Sequence, residues 1–154
     1  MTSDTRDHLS GVKMAFFRRI CSERGIKVTP QRIEIFFEIS RSRDHPSAED
    51  LYDRVKTRLP TISLDTVYRT LATFERCGLV VKVQFLEDRL RFDTNVETHH
   101  HLFCSDCRNI VDFSWPDLDR VALPKEVAEW GRPESRQVHI RGVCRACSEK
   151  RDRK

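Results

Sequence analysis

No apolar run in this 154-residue chain approaches the roughly 20 residues a membrane-spanning helix needs. The opening stretch, MTSDTRDHLSG, lacks the charged-then-apolar pattern of a secretory signal. There is no internal repeat and no low-complexity tract, which argues against solenoids and fibrous arrays. A large excess of one charge sign is lacking too: 28 Lys and Arg stand against 24 Asp and Glu, a net +4. Residues 1–90 carry 16 basic against 13 acidic side chains, and residues 91–154 carry 12 against 11, so neither half is a basic tail. These absences leave a cytoplasmic globular protein as the expectation, one average domain or two small ones.

The setting for disulfides is also missing, because six cysteines without a secretion signal read as reduced. Four of them form two Cys-x-x-Cys pairs, Cys104/Cys107 and Cys144/Cys147. Cys21 and Cys77 lie in helical, apolar-periodic stretches and are expected as buried free thiols.

What is present begins with helices. A short helical pattern runs from Phe16 to Gly25. The stretch VTPQRIEIFFEIS then starts a second helix with Thr29 at the N-cap and Pro30 at the first turn, and Ile33, Phe36 and Phe37 mark its core face. In HPSAEDLYDRVKTRL, Ser47 caps a third helix, Asp50 answers three residues on, and Leu51, Val55 and Leu59 line one side. A fourth, ISLDTVYRTLATFERCG, starts at Ser63, carries the stripe Leu64, Val67, Leu71, Phe74, and ends at Gly78. Its other face shows Thr66, Tyr68, Arg69 and Thr73. Period-two alternation follows at Val81, Val83 and Phe85, with a turn at Glu87-Asp88 and a return at Leu90 and Phe92, the pattern of a β-hairpin.

Short helices followed by a two-stranded hairpin are the parts of a winged helix-turn-helix, whose last helix enters the major groove of DNA. The hydroxyl, tyrosine and arginine groups suit phosphate and base-edge contacts; a merely solvated face is the alternative. Past Asp93-Thr94-Asn95 the character changes to short strands in HHHLFCSDC, NIVDFSW and SRQVHIRGVC. A helix interrupted near Pro124 lies between the last two, and the charged tail SEKRDRK is expected to fray. The fold class is therefore α+β, with a second, small domain.

Two chemistries lie in that second domain. The two Cys-x-x-Cys pairs, 36 residues apart, supply the four thiolates of a tetrahedral structural zinc, with a redox dithiol pair as the competing reading. On a strand, His99 and His101 point to one face and His100 to the other, so His100 is expected to face solvent or a weaker site. Two imidazoles with Asp93 before them and Asp112 after make a nitrogen-and-oxygen set for Fe(II), Mn(II), Zn(II) or Ni(II).

In order, GIKVTPQRIEIF, HPSAEDLYDRV, ISLDTVYRTLATFERCGLV, RFD, HHHLFCSDCRNIVDF and VCRACS resemble the ferric uptake regulator (Fur) family of bacterial metal-dependent repressors, from about residue 16 to 148. RFD, His-x-His and IVDF most resemble its peroxide-responsive branch. The resemblance implies a winged-helix DNA-binding domain at 1–92, a hinge at 93–97 and a zinc-stabilised α/β dimerisation domain at 98–154. It implies a homodimer on a palindromic double-stranded operator, with no membrane partner and no enzymatic turnover. It places a regulatory ion, Fe(II) or Mn(II), on His45, Asp93, His99, His101 and Asp112, and structural zinc on Cys104, Cys107, Cys144 and Cys147. DNA contacts fall to Ser63, Thr66, Tyr68 and Arg69 with Arg32.

Iron would reduce peroxide and oxidise His45 or His99, ending repression, whereas Mn(II) would give an insensitive repressor. An iron- or zinc-sensing repressor of metal uptake genes is the alternative within the family. The chain departs from the peroxide branch at His100, where an aromatic is common. It departs again in ESRQVHIRGVC, where His139 sits in an altered position, so a third metal site is not expected. From other classes, a 2-His-1-carboxylate enzyme would need a substrate pocket and would leave the winged helix idle. A zinc-stabilised interaction module would not bind DNA at all.

Overall fold

The computed structural model describes residues 3–83 and 89–153, with side chains from residue 11 onward. It divides into two compact units, Met1–Val96 and Glu97–Lys154. The expected turn at Glu87-Asp88 and the inward Phe85 lie outside the described residues.

The first unit comprises α1 (Ser3–Glu23), α2 (Pro30–Arg41), α3 (Ala48–Val55), α4 (Leu64–Arg76) and a hairpin of β1 (Val81–Val83) and β2 (Arg91–Asp93). Its helix starts are set locally. Thr29 Oγ1 accepts the Arg32 N–H at 3.3 Å, and Ser47 and Asp50 form a reciprocal capping box with bonds of 3.2 and 2.9 Å. Ser63 Oγ accepts the Thr66 N–H at 3.1 Å. Gly78, at φ +71°, turns the chain out of α4 in a left-handed conformation that a side chain would oppose, and Leu79 N–H closes on Phe74 O at 2.9 Å.

The hydrophobic core is built around three rings from three helices. Phe17 of α1 stacks on Phe36 of α2 at 4.6 Å between centroids, and Phe74 of α4 meets both edge-on at 5.6 and 5.9 Å. α2 differs from the expected stripe. Ile35, Phe36 and Ile39 are buried, whereas Ile33 and Phe37 are half-buried and Arg41 covers the Phe37 ring at 5.0 Å. α2 packs against α1, α3 and α4, and the residues between its neighbours are enclosed ahead of those on a single period-3.6 line. On α4, Thr70 is buried and Leu64 only half-buried, for the same reason. α1 starts well before the expected Phe16, and among its described side chains Phe17 and Cys21, in its last two turns, are fully buried.

The second unit is a three-stranded sheet in the order β4-β3-β5. β3 (His100–Cys104) pairs antiparallel with β4 (Ile110–Phe113) and parallel with β5 (His139–Gly142). Two short helices, α5 (Pro116–Arg120) and α6 (Lys125–Trp130), are separated by the break expected near Pro124. The charged tail does not fray at its start. The second cysteine pair leads into α7 (Arg145–Asp152), and Arg151 pairs with Asp106 beside the first pair. Pleating sends Phe103 and Ile110 inward, while Leu102, Val111 and Ile140, side by side in the register, are 41, 47 and 43% exposed.

Candidate metal centres and nucleic-acid interface

The β3–β4 turn carries Cys104 and Cys107, and the start of α7 carries Cys144 and Cys147. Arg108, at φ +62°, supplies the left-handed residue that closes the first knuckle, its N–H bonding Cys104 O at 2.9 Å. All four sulfurs lie within 4.8 Å of one another, and no described cysteine forms a disulfide. Backbone N–H groups of Cys107 and then Cys144 hold the Cys104 thiol down to about 6. Hydrogen bonding to Cys144, with burial and the Cys107 and Cys104 sulfurs, pushes Cys147 up to about 12. Four thiolates this close together need a cation among them, and a soft four-sulfur set suits zinc over the harder divalent ions. Of the remaining cysteines, Cys21 is fully buried and its thiol is raised by that burial; Cys77 is only half-buried against the core.

In the second unit His99 and His101 share a face, ring centroids 4.6 Å apart. Their Nε2 atoms lie 3.8 and 3.6 Å from the same Asp112 oxygen, Oδ1. His99 Nδ1 meets Glu97 O at 2.7 Å, and since a carbonyl only accepts, that nitrogen carries the proton. Nε2, the nitrogen toward Asp112, is left with its lone pair, the orientation a metal-ligating imidazole needs.

In the first unit His45 Nε2 lies 3.4 Å from Asp93 Oδ2. Asp93 is turned to it because its other oxygen accepts the Asn95 N–H at 2.9 Å. His45 is buried and sits at φ +48°, a left-handed conformation that costs a non-glycine residue energy. Its carbonyl accepts from Arg91 Nη1 at 3.4 Å, and Phe92 N–H bonds Pro46 O at 3.1 Å, so β2 holds the turn in place. Each unit thus offers histidine nitrogen and carboxylate oxygen, a donor set for a divalent ion such as Fe(II), Mn(II), Zn(II) or Ni(II) and unlike the thiolate set.

His100 corrects the expectation of a solvent-facing or weakly ligating residue. It is fully buried on the other side of β3. Nδ1 accepts the Val138 N–H at 3.2 Å, so the ring proton sits on Nε2, 3.3 Å from Asp119 Oδ1, with the Phe113 ring 5.3 Å away. The reversal follows from α5, which brings Asp119 to the His100 end of that face. His139 stands opposite His101 in the register, rings 5.2 Å apart, and burial lowers its pKa.

On α4, Tyr68 and Arg69 stand out, Tyr68 45% exposed and Arg69 against Asp65 at 3.8 Å. Ser63 and Thr66 share a 2.8 Å hydroxyl contact at the helix start. Arg32, Thr66 and Arg69 line one cavity of about 580 Å³, to which Lys27 and Arg76 add two further cations and no carboxylate contributes. Sequence reading missed Lys27 and Arg76. Arg76 falls seven residues after Arg69 on the same helix face, a signal that was available; Lys27 joins only because α2 begins beside α4. An open, four-cation cleft suits a polyanion.

Three relatives are similar to this chain. The peroxide-responsive repressor PerR of Staphylococcus epidermidis is 36% identical over 126 residues, 81% of this chain and 83% of that protein. The peroxide operon regulator of Bacillus subtilis is 35% identical over 128 residues, 83% and 88%. The solved Campylobacter jejuni peroxide stress regulator superposes with a TM-score of 0.65 at 29% identity, covering 84% of this chain and 97% of that one. The model of the ferric uptake regulator family matches residues 23–141. With a helical DNA-binding unit, a four-cysteine α/β unit and this match, the chain belongs to the ferric uptake regulator family: a metal-dependent transcriptional regulator, not an enzyme.

Proposed function

We propose that the protein is a cytoplasmic, homodimeric repressor that releases a palindromic operator on exposure to peroxide. One regulatory ion, Fe(II) or Mn(II), is held by His45 and Asp93 of the first unit together with His99, His101 and Asp112 of the second. Zinc on Cys104, Cys107, Cys144 and Cys147 builds the dimerisation unit. The carrying observation is the division of the donor set, histidine and carboxylate on each unit, with Asp93 at the start of a hinge over residues 93–97. Ligands shared across a hinge let one ion select the arrangement in which two recognition helices meet two half-sites.

Iron held here would supply the electron transfer that splits the peroxide O–O bond, with no net change in its own oxidation state once the ring is oxidised. His45 and His99 are the residues that respond. One peroxide delivers an oxygen atom and a two-electron oxidation to an imidazole carbon and leaves as water. The oxidised ring is a poor ligand, so the ion is lost and the operator is released. The similarity to two peroxide repressors supports this branch. His100, buried against Asp119 on the other side of β3, adds no third strand histidine to the ligand set. The row Leu102, Val111 and Ile140 is the apolar face a second copy would cover. For DNA, Ser63 and Thr66 serve the helix start, Tyr68 and Arg69 the base edges and Arg32 a phosphate.

The test is duplex binding with and without metal. A selected duplex is bound in Mn(II) and lost on chelation, and His99→Ala does not bind it in Mn(II); metal-activated binding by that variant sinks the sensing site.

A further inference from the structure

Glu49 presents a problem of charge. It sits on the second residue of α3, beside the exposed face of α4, where a carboxylate repels DNA phosphates. Its place in the first turn favours an acid through the helix dipole, but Asp50 already fills that role with both capping-box bonds. What Glu49 does instead is accept the Tyr68 hydroxyl proton at 2.6 Å, a short charge-assisted bond from one helix to the next. Tyr68 needs no such partner for burial, since it is 45% exposed and water could satisfy it. The bond therefore fixes the direction of a ring that would otherwise swing. A tyrosine side chain has two rotatable angles, and anchoring its tip settles both.

The carboxylate is also kept anionic. The Tyr68 hydroxyl first, then backbone groups and Ser47, hold Glu49 below the usual carboxylate range, and Arg89 from the hairpin acts in the same direction. The phenol is raised by the same bond, so it stays a donor at neutral pH.

We infer that Glu49 is a positioning residue for operator specificity: through the Tyr68 hydroxyl it fixes the ring in the orientation that reads one base pair of each half-site. The inference rests on the DNA-binding reading of α4. It differs from a phosphate contact because the residue is an acid and never touches the backbone, and from a purely structural bond because both partners are at the surface. Loss of the anchor blurs one position of the recognised sequence and leaves the others as they were.

The experiment is selection from a duplex library with a randomised core of about two helical turns, using the Mn(II)-loaded full-length protein. Wild type, Glu49→Gln, Glu49→Ala, Tyr68→Phe and the Glu49→Ala/Tyr68→Phe double variant are compared, with melting temperature as a check on folding. Expected is a palindromic motif for wild type and a fall of about fivefold or more in preference at one base pair per half-site for Glu49→Ala. Tyr68→Phe blurs the same position, and the double variant adds nothing. Glu49→Gln, which still accepts the hydroxyl, keeps the wild-type preference while binding all duplexes more tightly at low salt. Glu49→Ala that changes affinity equally for every sequence, or blurs a position different from Tyr68→Phe, overturns the inference while DNA binding stands. A wild-type protein that enriches no motif overturns the DNA-binding reading and this one with it.

Discussion

Zinc binding by the four cysteines should be steeply pH-dependent, with a slope that changes near pH 6. Cys104 is held at about 6 by the Cys107 and Cys144 N–H groups, and Cys147 is pushed up to about 12 by the sulfurs around it. Between those values Cys104 is already thiolate and Cys147 is a thiol. Since zinc takes only thiolates, each ion bound must displace at least the Cys147 proton, and apparent affinity rises about tenfold or more per pH unit. The sign is fixed by the shifts: the raised thiol holds its proton and opposes metal until pH climbs, whereas the depressed one opposes metal only below about 6. Below that point the Cys104 proton competes as well, and the loss steepens by about a further tenfold per unit. Competition against a chromophoric chelator at roughly pH 5.5, 6.5 and 7.5, with proton release read in a weakly buffered indicator solution, measures both slopes. Affinity that is flat with pH, or a slope that does not steepen below 6, refutes the assignment of these two thiols. The same metal should decide whether the second unit folds. Among its described residues the buried apolar set is Phe103, Cys104 and Ile110, too little to hold a sheet alone.

Further outcomes follow from packing. Phe74→Ala removes the ring that meets both Phe17 and Phe36 and should cost about 3–5 kcal/mol in urea unfolding of the first unit. Leu102→Asp puts charge in the middle of the exposed sheet row and should shift the protein toward monomer in sedimentation while the zinc site persists. His100→Ala leaves Asp119 and the Val138 N–H without their buried partner and should lower stability of the second unit by about 1–3 kcal/mol, with metal-activated DNA binding retained; its loss would make His100 part of the sensing site.

Much of this was legible in the chain because the signals are local. Thr29-Pro30, Ser47 with Asp50, and Ser63 cap helices through bonds no longer than three residues, and the structure has those bonds. The cysteine pairs announce a four-sulfur cluster because each pair makes its own knuckle. His99 and His101 share a face by strand geometry alone. What stayed hidden depends on neighbours far along the chain. Ile35 and Ile39 displace Ile33 and Phe37 from the α2 core because three helices surround that one. His100 becomes a core residue through Asp119 and Val138, 19 and 38 positions away. Lys27 and Arg76 converge with Arg32 and Arg69 only when α2 is laid beside α4. His45 carries no pattern of its own; a lone histidine ahead of a helix gains meaning from Asp93, which β2 brings to 3.4 Å.

The central claim is that His45 and His99 convert peroxide into loss of operator binding. Peptide mass spectrometry of Fe(II)-loaded and Mn(II)-loaded protein after peroxide, with duplex binding measured on the same samples, tests it most directly. One added oxygen atom on the His45 or His99 peptide, rising in step with loss of DNA binding in the iron sample and absent from the manganese sample, is the predicted result. Iron-loaded protein that keeps its DNA, or releases it with both histidine peptides unmodified, contradicts the account.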